Sequence, residues 1–192
     1  MSGADLQQRI DELTAEVGKK NEELHELIGQ LPDEPVDDFV LQNLAGPVRL
    51  SELFGRHEDL IVIHNMGKGC PYCTLWADGL SGMVPYFESR AGLALCSPDA
   101  PEVQQSFAEE RGWRFQLVSN DSGFSEAMGY TKEEGGRTVQ WPGYSTFHRD
   151  GNGSIRRVAH SYFGPGDTYC GIWHMFGLLE GGVGDWQPAF HK

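Results

Sequence analysis

The chain predicts an α/β domain of three layers, a mixed central sheet with helices on both faces, preceded by a long helix. Three observations carry this reading. Apolar runs at Leu60-Ile61-Val62-Ile63-His64, Leu93-Ala94-Leu95-Cys96 and Phe115-Gln116-Leu117-Val118 alternate with helical segments, the order of parallel βα units. Two later runs, Tyr144–Phe147 and Ser154–Tyr162, are joined through Arg149-Asp150-Gly151-Asn152-Gly153, a hairpin turn that reverses strand direction. Ahead of them all, residues 4–31 carry apolar side chains at helical spacing.

In chain order, Leu6, Ile10, Leu13, Val17, Lys20, Leu24, Leu27 and Leu31 recur in steps of four and three and line one stripe of a helix. Such a helix is roughly 40 Å long. It either packs on its own domain or pairs with a second copy, and Gly18 and Lys20 weaken both versions. Pro32 and Pro35 end it, dividing the chain into a helix over residues 1–35 and an α/β domain over 36–192. Phe39-Val40-Leu41 and Val48-Arg49-Leu50 read as strands around a turn at Leu44–Pro47, and Ser51 caps a short helix, Glu52–Phe54, closed by Gly55. Pro71–Ser89 reads as one helix, Pro101–Arg111 as a second, Phe124–Tyr130 as a short third and Thr168–Leu179 as the last. Residues 131–142 are polar and Gly-rich and read as a loop.

Fifteen basic against 28 acidic residues leave a net charge of −13, which argues against nucleic acid or an anionic membrane as partner. No basic-then-apolar leader opens the chain and no apolar run has membrane length. Four cysteines in 192 residues are too few for a secreted disulfide scaffold, so a reducing cytoplasm is the expected setting.

The chemistry concentrates at Gly69-Cys70-Pro71-Tyr72-Cys73, directly after the first apolar strand. Two cysteines separated by two residues can close a disulfide across the first turn of a helix. The first sulfur then sits where helix amide donors and the positive end of the macrodipole stabilise a thiolate, the form that attacks disulfides and peroxides. Pro71 is tolerated there because a first-turn amide needs no partner. Cys70 is therefore the expected nucleophile and Cys73 the resolving thiol. Lys68 and His64 could add positive charge if they face Cys70; otherwise Lys68 is a solvated loop residue and His64 a hydrogen-bonded strand histidine.

The stretch from Phe39 through Gly46-Pro47-Val48-Arg49-Leu50-Ser51-Glu52-Leu53-Phe54-Gly55 to Cys70-Pro71-Tyr72-Cys73 resembles the peroxiredoxin-like branch of the thioredoxin superfamily. Closer still is a bacterial family of unknown function labelled predicted dithiol–disulfide oxidoreductases. Its members similarly follow Cys-x-x-Cys with Trp-Ala-Asp, here Trp76-Ala77-Asp78. They also carry a Pro-Gly-x-Ser-x-Phe-x-Arg-Asp-Gly segment, here Pro142 to Gly151. The resemblance implies a thioredoxin-like fold and thiol redox chemistry. Three departures stand out. Standard peroxiredoxins place Pro seven and Thr or Ser three residues before the reactive cysteine, where this chain has Ile63 and Gly67. The cis-proline position of thioredoxins falls on Tyr144, with Pro142 two residues early. Cys-Pro-Tyr-Cys is the glutaredoxin tetrapeptide, yet the long helix and extra strands do not fit a glutaredoxin.

The expected activity is a dithiol–disulfide oxidoreductase cycling Cys70–Cys73, with no bound cofactor. Its substrate is a protein or small-molecule disulfide, and its electron donor is of thioredoxin or glutathione type. Tyr72, Trp141 and Tyr144 are the expected apolar rim where a substrate docks. A peroxidase version oxidises Cys70 to the sulfenic acid and resolves it with Cys73. A third reading is a zinc or sensor module built from Cys70, Cys73, Cys170 and His174. Cys96 reads as core and Cys170 as packed or as a second resolving thiol. The other tryptophans read as packing, and Glu109-Glu110 and Lys132-Glu133-Glu134 as solvated surface.

Overall fold

The computed structural model describes residues 2–32, 34–120 and 123–190. Helix α1 (Gly3–Ile28) precedes strand β1 (Glu34–Val36), the hairpin β2 (Val40–Asn43) and β3 (Gly46–Arg49), and the short α2 (Leu50–Leu53). Strand β4 (Asp59–His64) leads into α3 (Pro71–Ser81) and α4 (Val84–Phe87). Next come β5 (Gly92–Ser97), α5 (Pro101–Arg111), β6 (Gln116–Ser119) and α6 (Phe124–Ala127). A hairpin, β7 (Thr131–Glu134) and β8 (Arg137–Gln140), is followed by β9 (Gly143–Arg149), β10 (Ile155–Tyr162) and α7 (Gly171–Phe176).

Eight strands form one sheet in the order β1-β10-β9-β4-β5-β6-β2-β3, while β7 and β8 pair only with each other. The centre, β4-β5-β6, is parallel, and β9 joins β4 antiparallel with His64 opposite Gly143. Period-two alternation sorts the central strands onto two cores. Leu60, Val62, Ala94 and Cys96 face one cluster with Phe54, Phe124, Tyr130 and Phe147. Ile61, Ile63, Leu93 and Leu95 face the other with Trp76, Phe163 and Trp173. This is the expected three-layer thioredoxin-like fold.

Several local expectations are corrected. The helix expected over Pro71–Ser89 breaks: α3 is capped by Gly82 and α4 starts with Pro85 in its first turn. Gly79 and Gly82 are weak helix formers, and Pro85 cannot donate to the turn before it. Ser51 does not cap α2; its hydroxyl donates to Asp38, and α2 begins at Leu50, two residues earlier than expected. The loop expected at 131–142 is the β7–β8 hairpin, closed by Gly135 and Gly136 at φ +58° and +76°, the left-handed pair that a type I′ turn needs. Strand β1, unexpected from sequence, pairs with β10 and crosses the boundary at residue 35. The last helix shrinks to Gly171–Phe176 because Asp167 accepts the N–H groups of Tyr169 and Cys170. Helix α1 does not pack on its own domain: none of its residues is buried.

Candidate active site

The turn between β4 and α3 is held from both sides. Asn65 N–H donates to Cys96 C=O at 2.9 Å. Gly67 N–H donates to Asn65 Oδ1 at 2.7 Å, and Lys68 N–H to Asp99 Oδ2 at 2.6 Å. Gly67 adopts φ +101°, and a Cβ there would lie 3.1 Å from the Asp99 carboxylate. Only glycine satisfies both conditions. This turn delivers Cys70 to the N-cap of α3, with Pro71 in the first turn.

Cys70 Sγ accepts the N–H of Cys73 at 3.2 Å, and Cys70 C=O accepts from the Thr74 hydroxyl at 3.0 Å. The Cys70 thiol is pulled down to about 6, chiefly by a hydrogen bond from the Cys73 side chain. Half-burial opposes that fall, and the N–H groups of Cys73 and Tyr72 reinforce it. Cys73, buried one turn inward, is pushed up by the same side-chain bond and then by burial. One sulfur is therefore held as thiolate and its neighbour as thiol. Both are free.

Neither positive group invoked from sequence contributes. His64 is buried, stacked on Tyr130 at 3.7 Å between ring centroids, and its Nε2 meets the Ser145 hydroxyl at 3.0 Å. Burial first, and Arg157 and His160 next, hold it well below its ordinary value, so it is neutral. Lys68 faces a different cleft, lined with Asp99 and Trp113. The thiolate rests on hydrogen bonds, not on a cation.

Cys70 opens onto a groove of about 450 Å³. Met66, Tyr72, Trp76, Val139, Trp141, Pro142 and the segment Phe163 to Pro165 line it. Of the expected rim, Tyr72 and Trp141 line this groove. Tyr144 does not; it packs behind Phe163 and its hydroxyl meets that of Tyr169 at 2.8 Å. Pro142 takes the place given to Tyr144, because it directly precedes β9 and lines the groove with Cys70. Gly143 follows it because a Cβ there would meet Ser161 C=O at 2.2 Å. Sequence reasoning missed the hairpin, where Glu134 and Val139 line the groove and the Lys132 ammonium lies 3.5 Å above the Trp141 ring centroid. The Gly135-Gly136 pair was the signal that could have found it.

The two motifs support this site. Trp76 stacks parallel on Phe163 at 5.6 Å, and its Nε1–H donates to Asp167 Oδ2 at 2.9 Å. Asp167 also accepts from Gly164 N–H at 2.9 Å, so a single carboxylate ties the 163–170 segment to α3. Asp78 anchors the far end of α3, accepting from Arg111 and from Trp113 Nε1 at 2.8 Å. In the second motif, Ser145 binds His64, Phe147 fills the core, and Arg149 donates to Ser51 C=O at 2.8 Å.

The zinc set expected as a third reading is not assembled. Among the described residues no three His, Cys, Asp or Glu side chains converge to hold a metal ion, and His174 Nε2 is engaged by Asp167 C=O at 2.9 Å. Cys170 is packed beside Trp76 and Trp173, and Cys96 is buried in the opposite core. No helix among the described residues is long and apolar enough to cross a membrane.

A mixed sheet of this topology, with a Cys-x-x-Cys at the start of a helix, is a thioredoxin-like fold of the kind that peroxiredoxins share. Residues 6–185 match a family described as bacterial protein of unknown function (DUF899), and the chain belongs to that family. Among solved structures it is similar to the peroxidoxin BcpB of Mycobacterium tuberculosis, at 27% identity over 64% of this chain and 80% of that one, with a TM-score of 0.52. It shares its fold with a PrxQ variant from Xylella fastidiosa, at 17% identity over 68% and 84%, with a TM-score of 0.54. A hypothetical protein from Sinorhizobium meliloti 1021 also shares it, at 18% identity over 77% and 82%, with a TM-score of 0.52. No curated protein matches.

Proposed function

We propose that the protein is a dithiol–disulfide oxidoreductase. The observation that supports this most is the asymmetry of the pair: a Cys70 thiolate at the helix N-cap, with the Cys73 thiol donating to it from the same turn. The Cys70 thiolate attacks one sulfur of a substrate disulfide, forming a mixed disulfide and releasing the first substrate thiolate, which takes a proton from solvent. Cys73, losing its proton as the Cys70 charge disappears, attacks Cys70 sulfur. A Cys70–Cys73 disulfide forms and the second substrate thiol leaves. Two electrons pass to the substrate, and an external dithiol returns them. A reducing cytoplasm is the setting in which that return runs.

The groove bears on substrate and donor. Among the described residues its lining includes no Lys, Arg or His and one acid, Glu134. The lining is mostly apolar and the neighbouring Lys132 ammonium is held over the Trp141 ring, so the reading favours disulfides flanked by apolar residues and a protein dithiol donor. Tyr72, Trp141 and Pro142 are the residues assigned to substrate contact.

The likeness to a peroxidoxin favours a second reading in which a hydroperoxide takes the place of the disulfide. Cys70 then becomes the sulfenic acid with release of an alcohol or water, and Cys73 displaces water to form the same disulfide. Against it, Gly67 stands where a hydroxyl would activate the peroxide, and its conformation and the nearby Asp99 exclude a side chain there.

Mass spectrometry of the reduced protein mixed with an apolar peptide disulfide, oxidised glutathione or cumene hydroperoxide tests both readings. The expected result is a Cys70–Cys73 disulfide formed fastest with the peptide, and a trapped Cys70–peptide adduct in Cys73→Ser. Oxidation by the hydroperoxide alone would replace the first reading with the second.

A further inference from the structure

Helix α1 carries a surface that the domain does not use. Leu6, Ile10, Leu13, Val17, Leu24 and Leu27 are 44 to 60% exposed, as is Leu31 just beyond the helix, and no residue of the helix is buried. Their spacing is a strict heptad seam, interrupted only by Lys20. A helix of 26 residues is about 39 Å long, and a specific, stable interface covers on the order of 800 Å² per partner.

Charge narrows the occupant. The rest of α1 is acidic, with Asp5, Asp11, Glu12, Glu16, Glu22, Glu23 and Glu26 against Arg9, Lys19 and Lys20. That repels an anionic lipid surface, which calls for a basic polar face. The seam, in contrast, is complementary to itself. Laid antiparallel on its own copy, Ile10 faces Leu27, Leu13 faces Leu24 and Val17 faces Lys20, with every pair repeated by a two-fold axis and Leu6 left over the end of the second helix. A parallel pairing in register would instead set Lys20 directly against Lys20 of the second chain, two ammonium groups in one layer. Antiparallel, each Lys20 stem covers a valine. Its ammonium keeps Glu23 of its own helix, at 2.5 Å, and reaches toward Glu16 of the second, the neighbour of the facing Val17.

We propose that α1 is a homodimerisation helix that pairs antiparallel with a second copy of the chain, in the register that sets Lys20 against Val17. The proposal is independent of the redox reading.

Sedimentation equilibrium of the reduced full-length protein tests it with two substitutions at one exposed position. The wild-type protein should sediment as a dimer of 21.3 kDa chains. Val17→Glu should remain dimeric, because the introduced carboxylate gains Lys20 of the second chain as an ion-pair partner. Val17→Lys should dissociate, its dimer population falling at least tenfold. A parallel pairing would lose its dimer to both substitutions, since each repels its own copy across the seam, and that result overturns the proposal. A monomeric wild-type protein, or a dimer unaffected by Val17→Lys, overturns it equally. Circular dichroism and the rate of Cys70 alkylation establish that each variant is folded.

Discussion

Cys70 and Cys73 are the same side chain three residues apart, held in opposite protonation states by one hydrogen bond and unequal burial. The Cys70 thiol sits near 6, so its alkylation by iodoacetamide should reach half its maximal rate near that pH. Cys73→Ala removes the leading cause and should raise the midpoint, cutting the rate at neutral pH roughly threefold to tenfold. An unchanged midpoint would assign the stabilisation to the backbone donors alone. The same preference sets the redox poise. A thiolate stabilised in the reduced form makes the disulfide more oxidising, and the expected potential lies within the roughly −270 to −120 mV that thiol–disulfide proteins span. Titration in glutathione buffers followed by thiol mass spectrometry checks it. Stability follows with a definite sign: the folded state holds Cys70 near 6 against an ordinary 9.0. The unfolded chain therefore binds the extra proton between those values, and the reduced protein should gain stability as pH rises through that window.

Elements position these residues, and the sequence pattern located them unevenly. The strand before Cys70, the N-cap placement of Cys70 and helix Pro101–Arg111 were all legible, because local propensity and tertiary packing agree there. The β7–β8 hairpin was not. Its strands are polar and largely exposed, so no buried alternation announces them, and only the turn glycines mark it. Yet this hairpin lines the groove. Trp141→Ala should slow oxidation by an apolar peptide disulfide about tenfold while costing only about 1 kcal/mol of stability, since the ring is half-buried and held by Lys132. Equal slowing with a small uncharged disulfide would remove its contact role. The 163–170 segment depends on Asp167, which accepts from Trp76 and from three backbone N–H groups. Asp167→Ala should lower stability by about 2–4 kcal/mol, read by chemical denaturation.

Across the domain as one folding unit, stability responds to pH through His64, buried against Phe124 and Tyr130 and kept neutral. The unfolded chain protonates it at its ordinary value of 6.5, so stability should fall as pH drops below that point. His64→Asn should destabilise the protein at neutral pH but flatten the slope of melting temperature between pH 7 and 5. A slope equal to the wild type would assign acid sensitivity elsewhere. Local pattern alone was enough for the three-layer α/β class, the parallel centre of the sheet, the CxxC at a helix start and the apolar stripe of α1. These follow from periodicity and capping, which act over a few residues. Packing in three dimensions settled that His64 is neutral, that Pro142 rather than Tyr144 lines the groove with Cys70, and that the cysteine pair does not join Cys170 and His174 as a metal set. Each of those depends on which strands lie side by side. That is a matter of burial and register between residues far apart in the chain, on which local spacing is silent.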